Sequence, residues 1–421
     1  MTENSDTSRS ALPSLAGAAW LSEPATRAVL AALTSAGFEG RVVGGSVRNT
    51  LMGIAVSDLD IATPATPDAV VRACAAAGLA TVPTGLEHGT VTVVARHTPI
   101  EVTTLRRDVS TDGRRATVAF TTDWAEDARR RDFTMNALYC DGDGRLFDYV
   151  GGYDDLVARR VRFIGDADQR IAEDYLRILR FFRFHAAYAS GPPDPAAMAA
   201  CARGLGGIAR LSAERIRAEL VKLLVTPGVV GAVRAMVDIG LLTGLLGVAP
   251  RPDVMESVVA AEVRAALASD PMLRLSALAI ATDDDIDRVA DRLRLSNDER
   301  KALLVIDNAA VHQLGLIDAR NARRIAYRNG PEKSRRLALA LEAIEPSRAA
   351  EAVRLLATAT TWRAPKLPIV GADLIGLGMK PGREVGHVLA ELERWWVEHD
   401  FPPVEPTRAK LEALVAGVLG K

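Results

Sequence analysis

The chemistry of this chain begins at Gly44-Gly45-Ser46-Val47-Arg48, followed ten residues later by Asp58-Leu59-Asp60. Glycines at a turn that opens a helix let backbone N–H groups come close to a phosphate, and the helix N-terminus adds its dipole. Arg48 could give the same phosphates a fixed cation. Two aspartates spaced i, i+2 on a strand point to one side. Charges that close are costly unless cations neutralise them, and hard oxygen ligands suit Mg²⁺. Glu101, in Ile100-Glu101-Val102, offers a third carboxylate. Together these residues describe a site where a triphosphate meets divalent ions, one lowering the pKa of an attacking hydroxyl and the other holding a leaving pyrophosphate. Each piece alone has a plainer reading: a strand–turn–helix corner, a turn-and-cap pair of aspartates, an exposed strand glutamate. The glycines fit neither the P-loop spacing nor the GxGxxG dinucleotide fingerprint.

Two further groups are dense in polar function. Within Arg130 to Leu138, Arg131 could meet phosphate, and Asp132 and Asn136 could meet ribose hydroxyls; a salt-bridged structural turn is an equal alternative. In Glu173 to Arg183, Asp174, Arg177, Arg180 and Arg183 recur every third residue, a stripe winding slowly round a helix. The plain reading is a solvated face with Glu173–Arg177 and Asp174–Arg177 pairs. The chemical reading is specific. A carboxylate accepts from an exocyclic amine while a guanidinium donates to the ring acceptor beside it. Cytosine and adenine present that edge; uracil and guanine present a carbonyl next to a ring N–H. An Asp/Arg pair could therefore choose C and A over U and G, with the other arginines facing the triphosphate.

The elements that must carry these groups change character along the chain. Residues 1–20 are expected to be a loose tail. Pro24–Ala36 has helical spacing. Arg41-Val42-Val43, Asp58 to Ile61, Gly89 to Ala95 and Ile100 to Leu105 read as strands, with a helix at Pro67–Ala77 between them. Past Gly165 strand signals stop, and 167–187, 195–203, 212–224 and 229–239 read as helices, followed by more helix to the end with breaks near Pro271, Ser296, Pro331, Pro346 and Pro381. A glycine-rich stretch at 371–382 leads into an amphipathic helix through Trp395-Trp396. The expected class is α+β, a small mixed-sheet head followed by helices.

Composition excludes several classes. The formal charge of −1 announces no bulk nucleic-acid binder, so any basic surface must be local. Cys74, Cys140 and Cys201 form no CxxC pair and read as reduced hydrophobes. The polar, acidic start lacks a signal-peptide pattern, and the longest apolar run, 239–248, is far short of a membrane span. A cytoplasmic location with no membrane association and no obligate protein partner is expected. The histidines, His88, His97, His185, His312, His387 and His399, show no metal-binding spacing, and His399-Asp400 has no second ligand group beside it.

The set of motifs resembles the bacterial class II tRNA nucleotidyltransferase and poly(A) polymerase family of the polymerase-beta nucleotidyltransferase superfamily. The matching segments run in the family's order: Gly44 to Arg48 with Asp58 to Thr63, Glu87-His88-Gly89-Thr90-Val91, Glu101 to Thr104, Arg130 to Ala137, Asp148 to Gly152, Ile164-Gly165-Asp166, Glu173 to Arg183 and Leu211 to Arg215. The resemblance implies a head with a five-stranded sheet (21–165), a helical neck for base selection (166–250), and a helical body and tail for RNA (251–421). It implies Mg²⁺ on Asp58 and Asp60, with Glu101 as a further catalytic carboxylate. It implies nucleotide contacts from Gly45, Arg48, Arg131, Asp174, Arg177, Arg180 and Arg183, and Gly44, Ser46, Asp132, Asn136 and Glu173 beside them are expected in the same nucleotide site. The implied activity is addition of CCA to tRNA from CTP and ATP without a nucleic-acid template; poly(A) addition shares every head motif. An RNA-binding protein on a degenerate scaffold is the competitor from another class, disfavoured by intact Asp58, Asp60, Arg131, Asp174 and Arg177. The segment 106–119, with Arg107, Asp108, Asp112, Arg114 and Arg115, matches the family's flexible loop and favours full CCA or A addition over CC-only addition. Asn49 stands where the family usually has Asp, which is expected to weaken the interaction orienting Arg48.

Overall fold

The computed structural model describes residues 12–85, 89–111, 116–304, 306 and 314–420. Residues 1–11 of the expected tail, Glu87, His88, Asp112, Arg114, Arg115 and His312 lie outside them. The chain divides into two compact units, Met1–Leu245 and Leu246–Lys421. The first unit therefore contains the expected head and all but the last five residues of the expected neck.

Its elements are α1 (Ala19–Ser22), α2 (Pro24–Ser35), β1 (Arg41–Val43), α3 (Gly45–Leu51), β2 (Asp60–Thr63), α4 (Pro67–Ala76), β3 (Ala80–Gly85), β4 (Thr90–Ala95) and β5 (Thr98–Thr104). A ribbon of β6 (Arg106–Thr111) and β7 (Ala116–Phe120) follows, then α5 (Trp124–Arg129), a 3₁₀ turn at Thr134–Asn136, β8 (Leu138–Cys140), β9 (Leu146–Asp148) and α6 (Gly152–Val157). The helical part comprises α7 (Ala167–Glu173), α8 (Leu176–Tyr188), α9 (Pro195–Arg203), α10 (Ala213–Leu224) and α11 (Val229–Asp238). Proline sits in the first turn of α2, α4 and α9, where its missing N–H costs no hydrogen bond. Ser212 caps α10 by accepting from the Arg215 N–H.

The sheet has seven strands in the order β3-β4-β5-β2-β1-β8-β9, not the five the resemblance implies. The strands of this sheet not read from the sequence are β3, β8 and β9; the last two have three residues each, too short to show an alternation. The expected loose tail is also corrected. Leu15, Ala18 and Trp20 are buried, and Trp20 Nε1 donates to Thr50 Oγ1 at 2.8 Å, which anchors this segment on α3.

Two registers position the candidate residues. β1 pairs antiparallel with β2, setting Val43 opposite Asp60. β2 pairs parallel with β5, setting Asp60 beside Glu101. On its other side β1 pairs with β8, Val43 opposite Tyr139. Beneath these strands Val43, Ala62, Leu105, Ala128, Ala137, Tyr139 and Ile164 form one buried cluster.

The second unit is helical among its described residues. Pro271 opens the helix Pro271–Ala279, and Ser296 and Glu299 form a capping box on Asn297–Ala302. The helix Ala319–Ile344 kinks at Gly330, before Pro331. Near the end, Ile369, Leu374, Met379, Val388, Leu392, Leu411 and Val415 make a separate core. His399 stacks on Trp395, and Asp400 pairs with Arg323. No described helix is long and apolar enough to cross a membrane.

Close backbone approach at Gly152 gives a direct test. A Cβ there would lie 2.1 Å from the carbonyl oxygen of Thr134, in the 3₁₀ turn that carries Asn136. Gly152→Ala should cost roughly 2–4 kcal/mol, read as a lowered midpoint of thermal unfolding. Gly206→Ala, where nothing lies within 4 Å, should leave the midpoint nearly unchanged.

Candidate active site

Because Val43 is paired with Asp60, the turn that follows Val43 stands next to the aspartates. Gly44 has φ 76° and ψ −120°, a backbone region open to glycine, and α3 starts one residue later. A recess lined by Ser57, Asp58, Leu59, Asp60, Ile100 and Glu101, with Trp20, Glu23 and Thr26 on its other side, opens at the strand ends. Asp58 lies just before β2 rather than on the strand, and Asp60 is its first residue. The Asp58 segment is held by Ser46, whose hydroxyl donates to the Asp58 carbonyl at 2.6 Å. Ser46 is 2% exposed, so its side chain supports the aspartates from below.

The carboxyl of Asp60 is pushed above the ordinary carboxylate range by burial in the recess, then by the charges of Glu101 and Asp58, while Arg131 pulls it down. The residue as a whole is solvent-exposed, and water screens part of this repulsion. This crowding of negative charge suits a divalent cation. Among the described residues no three such side chains already converge on one point. That accords with Mg²⁺, which takes one or two carboxylates and completes its octahedron with water and substrate phosphate oxygens.

Arg48 is nearly buried, and burial lowers its pKa. Its guanidinium donates to Asn136 Oδ1 at 2.5 Å, to Asn49 Oδ1 at 2.9 and 3.1 Å, and to Tyr188 Oη at 2.8 Å. Asn49 therefore still orients Arg48, as a neutral amide, and its own amide nitrogen donates to the Ala55 carbonyl at 3.1 Å. Asp132 and Asn136, expected near ribose, are committed internally. Asp132 Oδ1 accepts from the Phe133 N–H at 2.8 Å and Asn136 Nδ2 at 3.0 Å, and Oδ2 from Arg180 at 2.5 and 2.8 Å. Burial opposes ionisation of Asp132, yet the Arg180 charge and these hydrogen bonds hold its carboxyl below the usual range. Arg131 reaches the glycine turn: its Nη1 lies 3.8 Å from the point where a Gly44 Cβ would stand.

The single helix expected over 167–187 is broken. Asp174, at φ −154° and ψ 104°, separates α7 from α8. Its Oδ1 accepts the Leu176 N–H at 3.1 Å, as a capping aspartate does. Its Oδ2 accepts from Arg215 Nη2 at 2.8 Å, in place of the expected pair with Arg177. Arg177 Nη1 donates to Glu173 at 2.5 Å and to the Arg170 carbonyl at 2.7 Å, and Nη2 to the Arg130 carbonyl at 3.3 Å. Those bonds occupy three of its five N–H donors. Arg183 pairs with Glu219 at 2.6 Å, and Glu219 also lies 3.8 Å from Arg180. The structure thus brings Gly44, Gly45, Asp58, Asp60, Glu101 and Arg131 together at the strand ends. It ties Arg48, Asn136, Asp132, Arg180 and Arg183 into one network through Glu219, pairs Glu173 with Arg177, and pairs Asp174 with Arg215.

The model of the poly A polymerase head domain matches residues 40–162, and that of the "probable RNA and SrmB-binding site of polymerase A" matches 193–254. The mitochondrial CCA tRNA nucleotidyltransferase 1 of Danio rerio is 36% identical over 85% of this chain and 83% of its own length. The chain belongs to the CCA tRNA nucleotidyltransferase family. A CCA-adding enzyme of Levilactobacillus brevis is 32% identical over 93% of this chain and 96% of its own length. The Bacillus stearothermophilus CCA-adding enzyme, solved in complex with CTP, superposes with a TM-score of 0.71 at 25% identity, covering 94% of this chain and 98% of that one.

For this family member, sequence reasoning overlooks Asp127, Tyr139, Tyr188 and Glu219. Asp127 is the fourth residue of α5 and reads as a surface acid; only its spacing of three and four from Arg130 and Arg131 hints at its role. Tyr139 and Tyr188 lie in apolar contexts and read as core.

Asp60→Asn tests the charge crowding. It should raise the thermal midpoint of the metal-free chain at neutral pH while abolishing turnover. The sign follows from the raised pKa. Asp60 takes up a proton more readily folded than unfolded, so its destabilising effect grows as pH rises through that pKa and fades as pH falls below the unfolded value. An unchanged or lowered midpoint across that window would contradict this electrostatic picture.

Proposed function

We propose that this protein adds cytidine, cytidine and adenosine to the 3′ end of tRNA from CTP and ATP. The observation that carries the reading is the meeting of the Gly44 turn, three carboxylates and Arg131 at one set of strand ends, in a chain alike over most of its length to CCA-adding enzymes. The tRNA 3′ oxygen attacks the α-phosphorus of the incoming nucleotide. A new P–O bond forms, the bond to the β-phosphate oxygen breaks, and pyrophosphate leaves carrying the electron pair. Asp58 and Asp60 would hold Mg²⁺, with Glu101 beside them. Bound there, the metal supplies Lewis acidity toward the α-phosphate and lowers the pKa of the attacking hydroxyl. The backbone at Gly44 and Gly45 and the guanidinium of Arg131 would receive the triphosphate. Arg48, Arg180 and Arg183, held by Asn49, Asn136, Asp132 and Glu219, add positive potential and fix the wall between strand ends and helices.

Base choice is assigned to Asp174 and Arg177. Each Asp174 oxygen has a second lone pair for an exocyclic amine, and Arg177 keeps donors for a ring acceptor. The buried, separated thiols Cys74, Cys140 and Cys201 suit a reducing compartment, and the cytoplasm is the location we assign. Burial pushes the last two thiols up to about 12, so they stay protonated and unreactive.

The test is the purified full chain with tRNA lacking CCA, Mg²⁺, and CTP and ATP separately and together. Three added nucleotides with both substrates are expected; a long adenosine tract from ATP alone would identify a poly(A) polymerase instead. Asp58→Ala should abolish addition. Asp174→Ala should reduce the preference for CTP over UTP by roughly tenfold or more while leaving Mg²⁺ dependence intact. Unchanged selectivity would remove Asp174 from base choice.

A further inference from the structure

Asp127 is 1% exposed, on α5, and takes no part in the chemistry above. Its Oδ2 accepts from Arg131 Nη2 at 3.1 Å and Nε at 3.3 Å, and from the Tyr139 hydroxyl at 2.8 Å. Its Oδ1 accepts from Arg130 Nε at 2.9 Å and from the backbone N–H of Arg106, the first residue of β6, at 3.2 Å. Tyr139 Oη lies 3.1 Å from Arg131 Nε and closes a triangle of three polar groups. Tyr139 is fixed edge-on against Trp124 and Tyr149, with centroids 5.5 and 5.9 Å away. Two of the three guanidinium nitrogens of Arg131 are therefore held from behind. The third, Nη1, is the one that faces Gly44.

We propose that Asp127 is a positioning residue for nucleotide binding: it holds the guanidinium of Arg131 aimed at the glycine turn before the triphosphate arrives. This rests on the assignment of Arg131 to the triphosphate. Burying a carboxylate is costly, and an apolar group of similar size would often stabilise a fold as well or better. Here the ion pair has a use that packing alone lacks. An arginine side chain loses rotamer freedom when fixed, and fixing it beforehand removes that cost from binding. The charge persists across the working range. Burial opposes ionisation, but the guanidiniums of Arg131 and Arg130 and the Tyr139 hydroxyl bring the Asp127 carboxyl down to about 2. The same hydrogen-bonded carboxylate ties the start of the β6–β7 ribbon to this arginine, so the ribbon and the phosphate ligand share one anchor.

The experiment is a double-mutant cycle of Asp127→Asn and Arg131→Ala in the full chain, reading KM for CTP and ATP and kcat on tRNA lacking CCA, with thermal unfolding to establish that each variant is folded. Asp127→Asn should raise both nucleotide KM values about tenfold with a smaller change in kcat, and should add nothing in the Arg131→Ala background. A wild-type KM for Asp127→Asn, or the same fold-increase in both backgrounds, overturns the positioning role while leaving the phosphate role of Arg131 standing. A wild-type KM for Arg131→Ala alone instead refutes the assignment of Arg131 to the triphosphate, and with it the use proposed for Asp127. If Asp127→Asn does not fold, Tyr139→Phe takes its place in the cycle. It deletes one hydroxyl from the triangle, should raise KM severalfold only when Arg131 is present, and overturns the proposal by the same two outcomes.

Discussion

Val43 is paired with Asp60 on one side and with Tyr139 on the other, and this double register at the end of β1 is the constraint on which the rest of the site depends. A one-residue slip in either ladder would turn every side chain to the opposite face of the sheet. It would separate the glycine turn from the aspartates, and Tyr139 from Asp127. The register is fixed by burial: all three residues of β1 are buried, and Val43, Ala62, Ala137 and Tyr139 share one core cluster. The parallel pairing of β2 with β5 then brings Glu101 to Asp60 without any further specification.

Charge is arranged on this frame in two ways. At the strand ends like charges crowd together, a repulsion that the proposed cation would relieve. Around them the reverse holds. Arg180 with Asp132, Arg183 with Glu219, Arg131 with Asp127 and Arg177 with Glu173 are paired and largely shielded. A positively charged wall that kept no internal partners would be expensive to bury and free to rotate. Paired arginines retain donors on their outward edges while their planes are fixed. On the proposed reading, carboxylates behind the arginines preorganise the site for an anion.

Much of this is legible in the residues. The strand–turn–helix at Gly44 announces itself by glycine after a β-branched run, and α2, α4, α9 and α10 by proline or serine at the first turn. The carboxylates Asp58 and Asp60 are visible from spacing, and the structure moves only Asp58, from the strand to the segment before it. Asp174 is legible as a candidate acid but not as a helix break, because Ile171, Tyr175, Ile178 and Phe182 keep steps of four, three and four across it. Its partner Arg215 is forty-one residues away, beyond any local pattern. Asp132, Asn136 and Arg48 carry the right chemistry for substrate, yet are mostly committed to one another. Spacing identifies which groups are polar and near, but not which of them face inward. Asp127 and Tyr139 escape notice for the same reason, since a buried acid and a buried phenol become informative only when their partners are known.

If Asp174 and Arg177 select the base, the protein alone, with no nucleic acid to read, distinguishes bases. Equilibrium binding of the four ribonucleoside triphosphates to the intact chain in Mg²⁺ and without RNA measures this directly. CTP and ATP should bind roughly tenfold or more tightly than UTP and GTP. Equal affinities for all four would contradict base selection by Asp174 and Arg177.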